Sequence, residues 1–387
     1  LGFGNLSDVL IANKPQPFGM SGILENPNLM RRGGPGLLAG VLTPLLKPLL
    51  RAFPKPRLYP NVPLSVFQSY LVGDLFMALP ALQELGKSID IQILCRPDCV
   101  EILRGLGFKA LPFDNAFLTR PTFTTFFRTF SQAWKLRGEL GSMALDLDAD
   151  PRTAFWLKIA GVHTALSFDR AGASLFDIRF AMPPEAVHQA DRDIAVVQAF
   201  CESRFVGPVG ANDYLPLPGQ PSSQQKANAS WIISCWTRKD TKNWPLDRWE
   251  QLLEKMLAAN VSFRILEAPD GDEGFKDFRQ RWSQRAEFMN GSLADVVEQI
   301  RSCAGIVATD NFTGHVAGYF GKPVLWINGS SDARQVLPRG PRTYAVQVDP
   351  MPCRPCGHRC ANPEYKACLV RLDVDRVWDA FRKLGGN

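Results

Sequence analysis

CAGIVATDNFTGHVAGYFGKPVLWINGS, residues 303–330, reads as one strand–turn–helix–strand unit. Ile306-Val307-Ala308-Thr309 closes an apolar run of the kind that a parallel strand buried on both faces requires. Asp310 and Asn311 follow as loop and N-cap residue types. A short helix of small and apolar residues then carries His315, Val316, Ala317 and Tyr319. Gly321 and Pro323 stop it, and residues 324–327 supply the next strand. In such a unit a ligand sits beyond the strand's C-terminal end, against the helix N-terminus, where unpaired N–H groups and the positive dipole end attract phosphate. Asp310 and His315 are then expected on the two sides of a pocket. The local pattern fits equally a plainer arrangement, in which Asp310 only caps the helix and His315 only packs.

The alternation repeats along the chain. VPLSVFQSYLVGD (62–74) predicts a strand and a turn at Gly73-Asp74, followed by the helix LFMALPALQEL. Strands are expected at 89–95 and 142–148, the latter ending in Asp146 and Asp148, with helices at 100–106 and 152–159. A second series holds strands at 231–236 and 262–267, helices at 246–260, 274–285 and 293–302, and a terminal helix at 375–384. Strands and helices alternating at this length mean doubly wound parallel sheets. At 387 residues the chain exceeds one compact core. The fold class is therefore α/β, with two Rossmann-like domains facing a cleft. Residues 1–60 read as an irregular basic and apolar arm, 61–205 as the first domain, and 206–230 as a linker rich in Pro, Gly, Ser and Gln. Residues 231–372 form the second domain, and 373–387 a C-terminal helical segment. Neither half carries a P-loop or a GxGxxG fingerprint.

Charge narrows the partners. Of the net +6, the first 60 residues contribute five, from seven basic against two acidic side chains, so the body is near neutral. A nucleic-acid partner needs a basic face, which argues against one here. Leu37 to Phe53, LLAGVLTPLLKPLLRAF, is broken by Pro44 and Pro48 and is too short and too charged to span a bilayer. It has no signal-peptide organisation. Met20 is an alternative start, which would make residues 1–19 extraneous. Two readings of residues 37–57 stand: a strip on an anionic membrane face, or an arm packed on the body.

Five segments together resemble glycosyltransferase family 9, the heptosyltransferase family. They are VGDLFMALPAL (72–82), the segment around His188, WTRKDTKNWPLDRWEQLL (236–253), GSLADVVEQIRSCAGIVATDNFTGHVAGYFGKPVLWING (291–329) and CRPCGHRC…C (353–368). The resemblance spans residues 62–384. It implies a GT-B fold, with the glycan acceptor on the first domain and the nucleotide-sugar on the second. It also implies inversion at the anomeric carbon without a catalytic metal or other cofactor, with ADP-heptose as the family's best-known donor. Asp74 occupies the family's general-base position, and N-capping the following helix is its plainer role. Asp146 and Asp148 are the next carboxylates for the base. Lys242 stands where the family binds phosphate. Thr237 and Arg238 follow a strand end where phosphate oxygens would lie, Arg238 replacing the family's usual hydroxyl residue. Glu273 matches a ribose-binding glutamate, with Asp270 and Asp272 as alternatives, and Gly291 lets the main chain approach the base. Asp310 and His315 keep the family's spacing. Asn311-Phe312 depart from its Thr-Gly, with the glycine displaced to position 314.

Four of nine cysteines, Cys353, Cys356, Cys360 and Cys368, fall within sixteen residues, with His358 among them. This spacing suits a structural zinc or iron site, reduced thiols or disulfides; the five scattered cysteines fit a reducing cytoplasm. The reading is a cytoplasmic, membrane-peripheral transferase of a sugar, heptose foremost, to a glycan acceptor such as lipopolysaccharide core. The alternatives are a nucleotide-sugar epimerase on the same fold and a catalytically silent carbohydrate- or partner-binding protein.

Overall fold

The computed structural model describes residues 62–68, 71–114, 116–170, 173–203, 229–268, 273–356 and 359–386. The expected arm (1–60) and the linker up to residue 228 lie outside them, as do Asp270, Asp272 and His358.

Two six-stranded sheets carry the architecture. The first contains β1 (Leu64–Phe67), β2 (Ile91–Cys95), β3 (Lys109–Pro112), β4 (Met143–Asp146), β5 (Thr164–Phe168) and β6 (Ile178–Phe180), in the order β3-β2-β1-β4-β5-β6. The second contains β7 (Trp231–Ser234), β8 (Phe263–Leu266), β9 (Glu287–Met289), β10 (Gly305–Thr309), β11 (Val324–Ile327) and β12 (Thr343–Val346), in the order β12-β11-β10-β7-β8-β9. Every pairing is parallel. Both sheets thus have the same doubly wound order, reversing direction between β1 and β4 and again between β7 and β10. A ligand crevice in such a sheet opens at this reversal. The strands β2, β7, β10 and β11 are buried along their whole length, which is why they read as largely apolar runs.

Helix α1 (Val72–Ser88) follows β1. It starts earlier than the sequence suggests: Leu71 is its N-cap, so Gly73 and Asp74 lie inside its first turn and Asp74 is not the cap. Elements absent from the sequence reading complete the first unit, namely β3, α2 (Phe123–Lys135), β5, β6 and α4 (Gln189–Ser203), with α3 (Pro151–Ile159) lying before β5. In the second unit α5 (Leu246–Ala258), α6 (Leu293–Ser302), α7 (Phe312–Tyr319) and α8 (Val374–Lys383) lie close to their expected positions. The C-terminal α8 seals the second sheet, with Phe381 edge-on to Trp231 at 4.7 Å.

The two units share one core. Phe76 and Leu79 of α1 belong to the same buried cluster as Val316 and Trp326, and Phe76 stands edge-on to Tyr319 at 5.3 Å. Gly318 makes the close fit around α7 possible: a Cβ there would lie 2.3 Å from the Arg339 carbonyl oxygen. Gly318→Ala should therefore cost about 1–3 kcal/mol of stability in a urea titration. Gly105→Ala, with no atom within 4 Å of its Cβ, should be neutral or stabilising by about 0.4–1 kcal/mol in the same titration.

Candidate active site

The chain leaves β10 directly into the site. Asn311 rather than Asp310 caps α7: its Oδ1 accepts from Thr313 N–H at 3.0 Å. Its Nδ2 reaches across the sheet reversal to Ser234 Oγ (2.9 Å) and the Trp236 carbonyl (3.2 Å), pinning the end of β7 to the end of β10. The departure Asn311-Phe312 thus keeps a working helix cap. Asp310, relieved of capping, is 5% exposed and takes two partners. Its Oδ2 accepts from the Ser331 hydroxyl and lies 2.7 Å from Lys242 Nζ. The structure therefore joins two residues that the sequence singled out separately.

Lys242 ends a single 3-10 turn, Asp240–Lys242, and that turn is fastened at both ends. Asn243 exchanges two hydrogen bonds with the Thr237 backbone, each 2.8 Å. Asp240 accepts from Tyr365 Oη (2.7 Å) and Lys366 Nζ (2.8 Å), both from the cysteine-bearing loop. The same loop holds the other side of the pair. Arg354 Nε donates to the Gly329 carbonyl at 2.8 Å, and Cys356 N–H to the Ser330 carbonyl at 3.1 Å, next to Ser331. Arg238 is exposed. Glu273, 84% exposed at the start of its helix, pairs with Lys276 at 2.7 Å, and no described contact links it to the Lys242–Asp310 pair. Gly291 has φ +142° just before the capping box of Ser292 and Asp295 that opens α6.

Across the junction, α1 presents its first turn. Gly73 lies against the His315 ring; a Cβ at Gly73 would come within 2.9 Å of His315 Cδ2. His315 therefore brings α7 against the residue preceding Asp74, which is half-buried. Behind Asp74 lie further carboxylates. Burial, then the charges of Asp148 and Asp74, hold the Asp193 carboxyl well above its usual range. Burial and Asp148 do the same to Asp146, although the Ala149 and Asp148 N–H groups donate to it. The sequence reading put Asp146 and Asp148 in reserve for the base but passed over Asp193; the only signal for Asp193 was its place in the His188 segment.

His188 closes the junction. The Ala190 N–H donates to its Nδ1 (3.1 Å), which leaves Nε2–H to donate to the Leu337 carbonyl of the second unit at 2.8 Å. Asp191 and Arg339 add an ion pair of 2.6 Å across the same seam. Burial and the Arg339 charge lower His188 to about 4, and a proton on Nδ1 would also face the Ala190 N–H. Burial, reinforced by His188 and Lys242 against the pull of Asp310, lowers His315 to about 4 as well.

All nine cysteines are free thiols. Burial pushes Cys95, Cys99 and Cys235 up to about 12, leaving them unreactive. Burial raises the Cys368 thiol above its usual range, Arg354 opposing the rise and Cys356, Cys353 and Cys360 adding to it. Among the described residues, however, no three potential ligands converge at metal-binding distance. Nor is any described helix long and apolar enough to cross a membrane.

Comparison with known proteins places this geometry. The profile of glycosyltransferase family 9 (heptosyltransferase) matches residues 131–366. No curated protein sequence matches. Among solved structures, the chain resembles E. coli heptosyltransferase WaaC with ADP, at TM-score 0.65 and 15% identity over 83% of this chain and 99% of that one. A family 9 glycosyltransferase from Veillonella parvula gives TM-score 0.68 and 13% identity over 84% and 98%. The iron-containing dodecameric glycosyltransferase TibC of enterotoxigenic E. coli gives 0.51 and 12% over 86% and 80%.

The buried neutral His188 makes a pH prediction. Its folded pKa lies below the unfolded value, so its contribution is complete above about 6.5 and is lost as pH falls towards about 4. Asp146 and Asp193, raised by burial, act in the opposite sense, which makes a difference measurement necessary. His188→Gln keeps one donor and one acceptor but does not titrate. Chemical denaturation between pH 7 and 4 should show the parent losing stability faster than the variant, by at most about 1.4 kcal/mol per pH unit. Parallel curves would show that His188 is not held neutral by the fold.

Proposed function

This chain belongs to glycosyltransferase family 9, the heptosyltransferase family, and from that membership we propose that it transfers a sugar from a nucleoside diphosphate donor to a glycan hydroxyl, with inversion. The observation that carries the proposal is the meeting of the Lys242–Asp310 pair, beside the N-terminus of α7, with the Gly73-Asp74 turn of α1 across the His315 contact. A cation and a helix N-terminus are what a departing diphosphate needs, and a carboxylate is what a weakly acidic hydroxyl needs.

In the proposed reaction Asp74 takes the acceptor hydroxyl proton as that oxygen bonds to the anomeric carbon. The bond from that carbon to the diphosphate oxygen breaks, and its electron pair leaves with the nucleoside diphosphate. Lys242 and the N–H groups opening α7 receive the negative charge. Thr237, held by Asn243, and exposed Arg238 line the approach to Lys242. Asp310, buried and bonded to Ser331, aims the lysine. Asn311 fixes the loop to β7, and His315 holds the donor side against the acceptor side. Gly291 and Glu273 belong to the nucleoside end of this reading. ADP-heptose is the donor and lipopolysaccharide core the acceptor that we propose first, because the family is that of heptosyltransferases.

The reaction needs no bound group. We assign the four-cysteine loop a structural metal, zinc or iron, on the chemistry of its donor set. Cys353, Cys356, Cys360 and Cys368 would hold it, and the loop would have to tighten for them to ligate. The ion would stiffen the strap that carries Tyr365, Lys366 and Arg354 to both sides of the Lys242–Asp310 pair. Elemental analysis of purified protein should find close to one zinc or iron per chain, and chelation should lower the melting temperature. A metal-free protein with unchanged melting under chelator would remove the assignment.

Two substitutions test the chemistry, after a panel of nucleotide-sugars has identified the donor by thermal stabilisation. Asp74→Asn should slow single-turnover transfer by about 10²–10⁴-fold. It should leave donor affinity unchanged and cost only about 0.3–1 kcal/mol of stability, the value of an acid in a first helical turn. Transfer within a few-fold of the parent would pass the role to Asp146 or Asp148. Lys242→Ala should weaken donor binding or the transition state by about 1.5–3 kcal/mol; unchanged kinetics would reduce this lysine to a structural partner of Asp310.

A further inference from the structure

Helix α2 carries two apolar surfaces, and among the described residues one is covered by the fold while the other stays largely open. Thr129, Ala133 and the following Leu136 are buried against the first sheet's layer, and Phe126 packs on Phe117 and Trp156. These contacts, with the capping box of Thr122 and Thr125, account for the helix. Phe123, Phe127, Phe130 and Trp134 form a separate line. At 100° per residue they fall within roughly 60° of arc, turned about 110° from the centre of that face, with Phe130 at the boundary packing partly on the core. Phe123 is 86% exposed, Phe127 63% and Trp134 47%, and Phe130 stacks on Trp134 at 6.0 Å. Four exposed or half-buried aromatic rings in one stripe exceed what a solvated surface ordinarily keeps.

The charges carried by the helix itself and its flanks over residues 120–137 are all of one sign. Residues 120–137 contain Arg120, Arg128, Lys135 and Arg137 and no acidic residue. Arg137 lies over the Trp134 ring at 4.8 Å, and Arg128 engages Asp114, itself largely buried. Glu139 is the nearest exposed acid on the C-terminal side. Aromatic rings flanked by cations, with acids excluded, match a surface that is apolar at one depth and anionic just above it. We propose that α2 is a membrane-docking helix, which seats Phe123, Phe127, Phe130 and Trp134 in the interface of an anionic phospholipid bilayer while its basic residues meet the headgroups. This site is distinct from residues 37–57, and it does not depend on the glycosyl-transfer reading, because the test measures vesicle binding alone.

The test uses the full chain and sedimentation with vesicles of phosphatidylglycerol and phosphatidylethanolamine, beside vesicles of phosphatidylcholine only. The parent should sediment with the anionic vesicles, release as salt rises, and leave the neutral ones largely unbound. Phe123→Ser/Phe127→Ser/Trp134→Ser should weaken binding at least tenfold. Arg120→Glu/Lys135→Glu, which leaves the stripe intact, should do so too and serves as the second variant should the first unfold. Both should elute at the parent's size in gel filtration. The proposal is overturned if the parent ignores anionic vesicles, or if a folded variant binds as well as the parent and binding is lost only on removal of residues 1–61. It is equally overturned if the parent is a dimer that the serine variant makes monomeric, because the stripe then faces a second copy of this chain.

Discussion

A lysine ammonium 2.7 Å from a buried aspartate is the contact on which the donor side of this protein depends. Neither ion is stable alone in that position: Asp310 is 5% exposed, and an unpaired buried carboxylate would be costly. The pair survives because everything around it is held. Ser331 binds the aspartate, Asn311 ties its strand end to β7, and Asn243 and Asp240 fix the turn that carries the lysine. The Asp240 restraint and two more come from the loop that carries Arg354, Cys356, Tyr365 and Lys366, which grips Gly329 and Ser330 on one side and Asp240 on the other. The cysteines stand in this strap, so whatever state their thiols adopt bears on how firmly the lysine is aimed.

The second constraint is the seam between the two sheets. It is made by small and neutral groups rather than by a large charged interface. Gly73 admits the His315 ring, and His188 uses both ring nitrogens, one to cap its own helix and one to reach Leu337. A charged imidazole would break the first of these bonds, which gives the low His188 value a geometric cause beside burial.

Legibility in the sequence followed burial. Strands β7, β8, β10 and β11 and helix α6 were plain, because apolar runs and capping residues specify them locally, whereas the short edge strands β9 and β12 were passed over and the cap of α7 fell on Asn311 rather than Asp310. Helix α2 was not: FTTFFRTFSQAW is rich in residues that favour strands, and its helical state comes from the Thr122–Thr125 box and from burial of one face against the body. The start of α1 was misjudged because Gly73 suggests a turn, whereas its real role is contact with a ring more than 240 positions away, which no local pattern carries. Lys242 and Asp310 were each found, but their pairing was not, since it is a property of where β7 and β10 end. At the nucleoside end, Glu273 is a surface residue paired to Lys276, and no described contact ties it to the Lys242–Asp310 pair.

Both halves of the chain wind their sheets in the same order, so the loops at the two reversals are equivalent positions in equivalent scaffolds. Their electrostatics differ. The first reversal gathers carboxylates: Asp74 from α1, Asp146 and Asp148 after β4, and Asp193 from α4, close enough that Asp148 and Asp74 add to the burial that raises the Asp193 carboxyl. The second presents a lysine, paired with buried Asp310, and a helix N-terminus. A topology alone fixes neither sign, and either loop is free to take the other's residues without changing a strand. A proton acceptor gains from neighbouring negative charge, which raises its basicity, and an anion site gains from positive charge and free N–H groups. In the proposed reaction, dividing the two requirements between two copies of one fold would keep the base from being neutralised by the cation that serves the departing phosphate. The close contact of Gly73 with His315, an uncharged residue, then brings the halves together without mixing their fields.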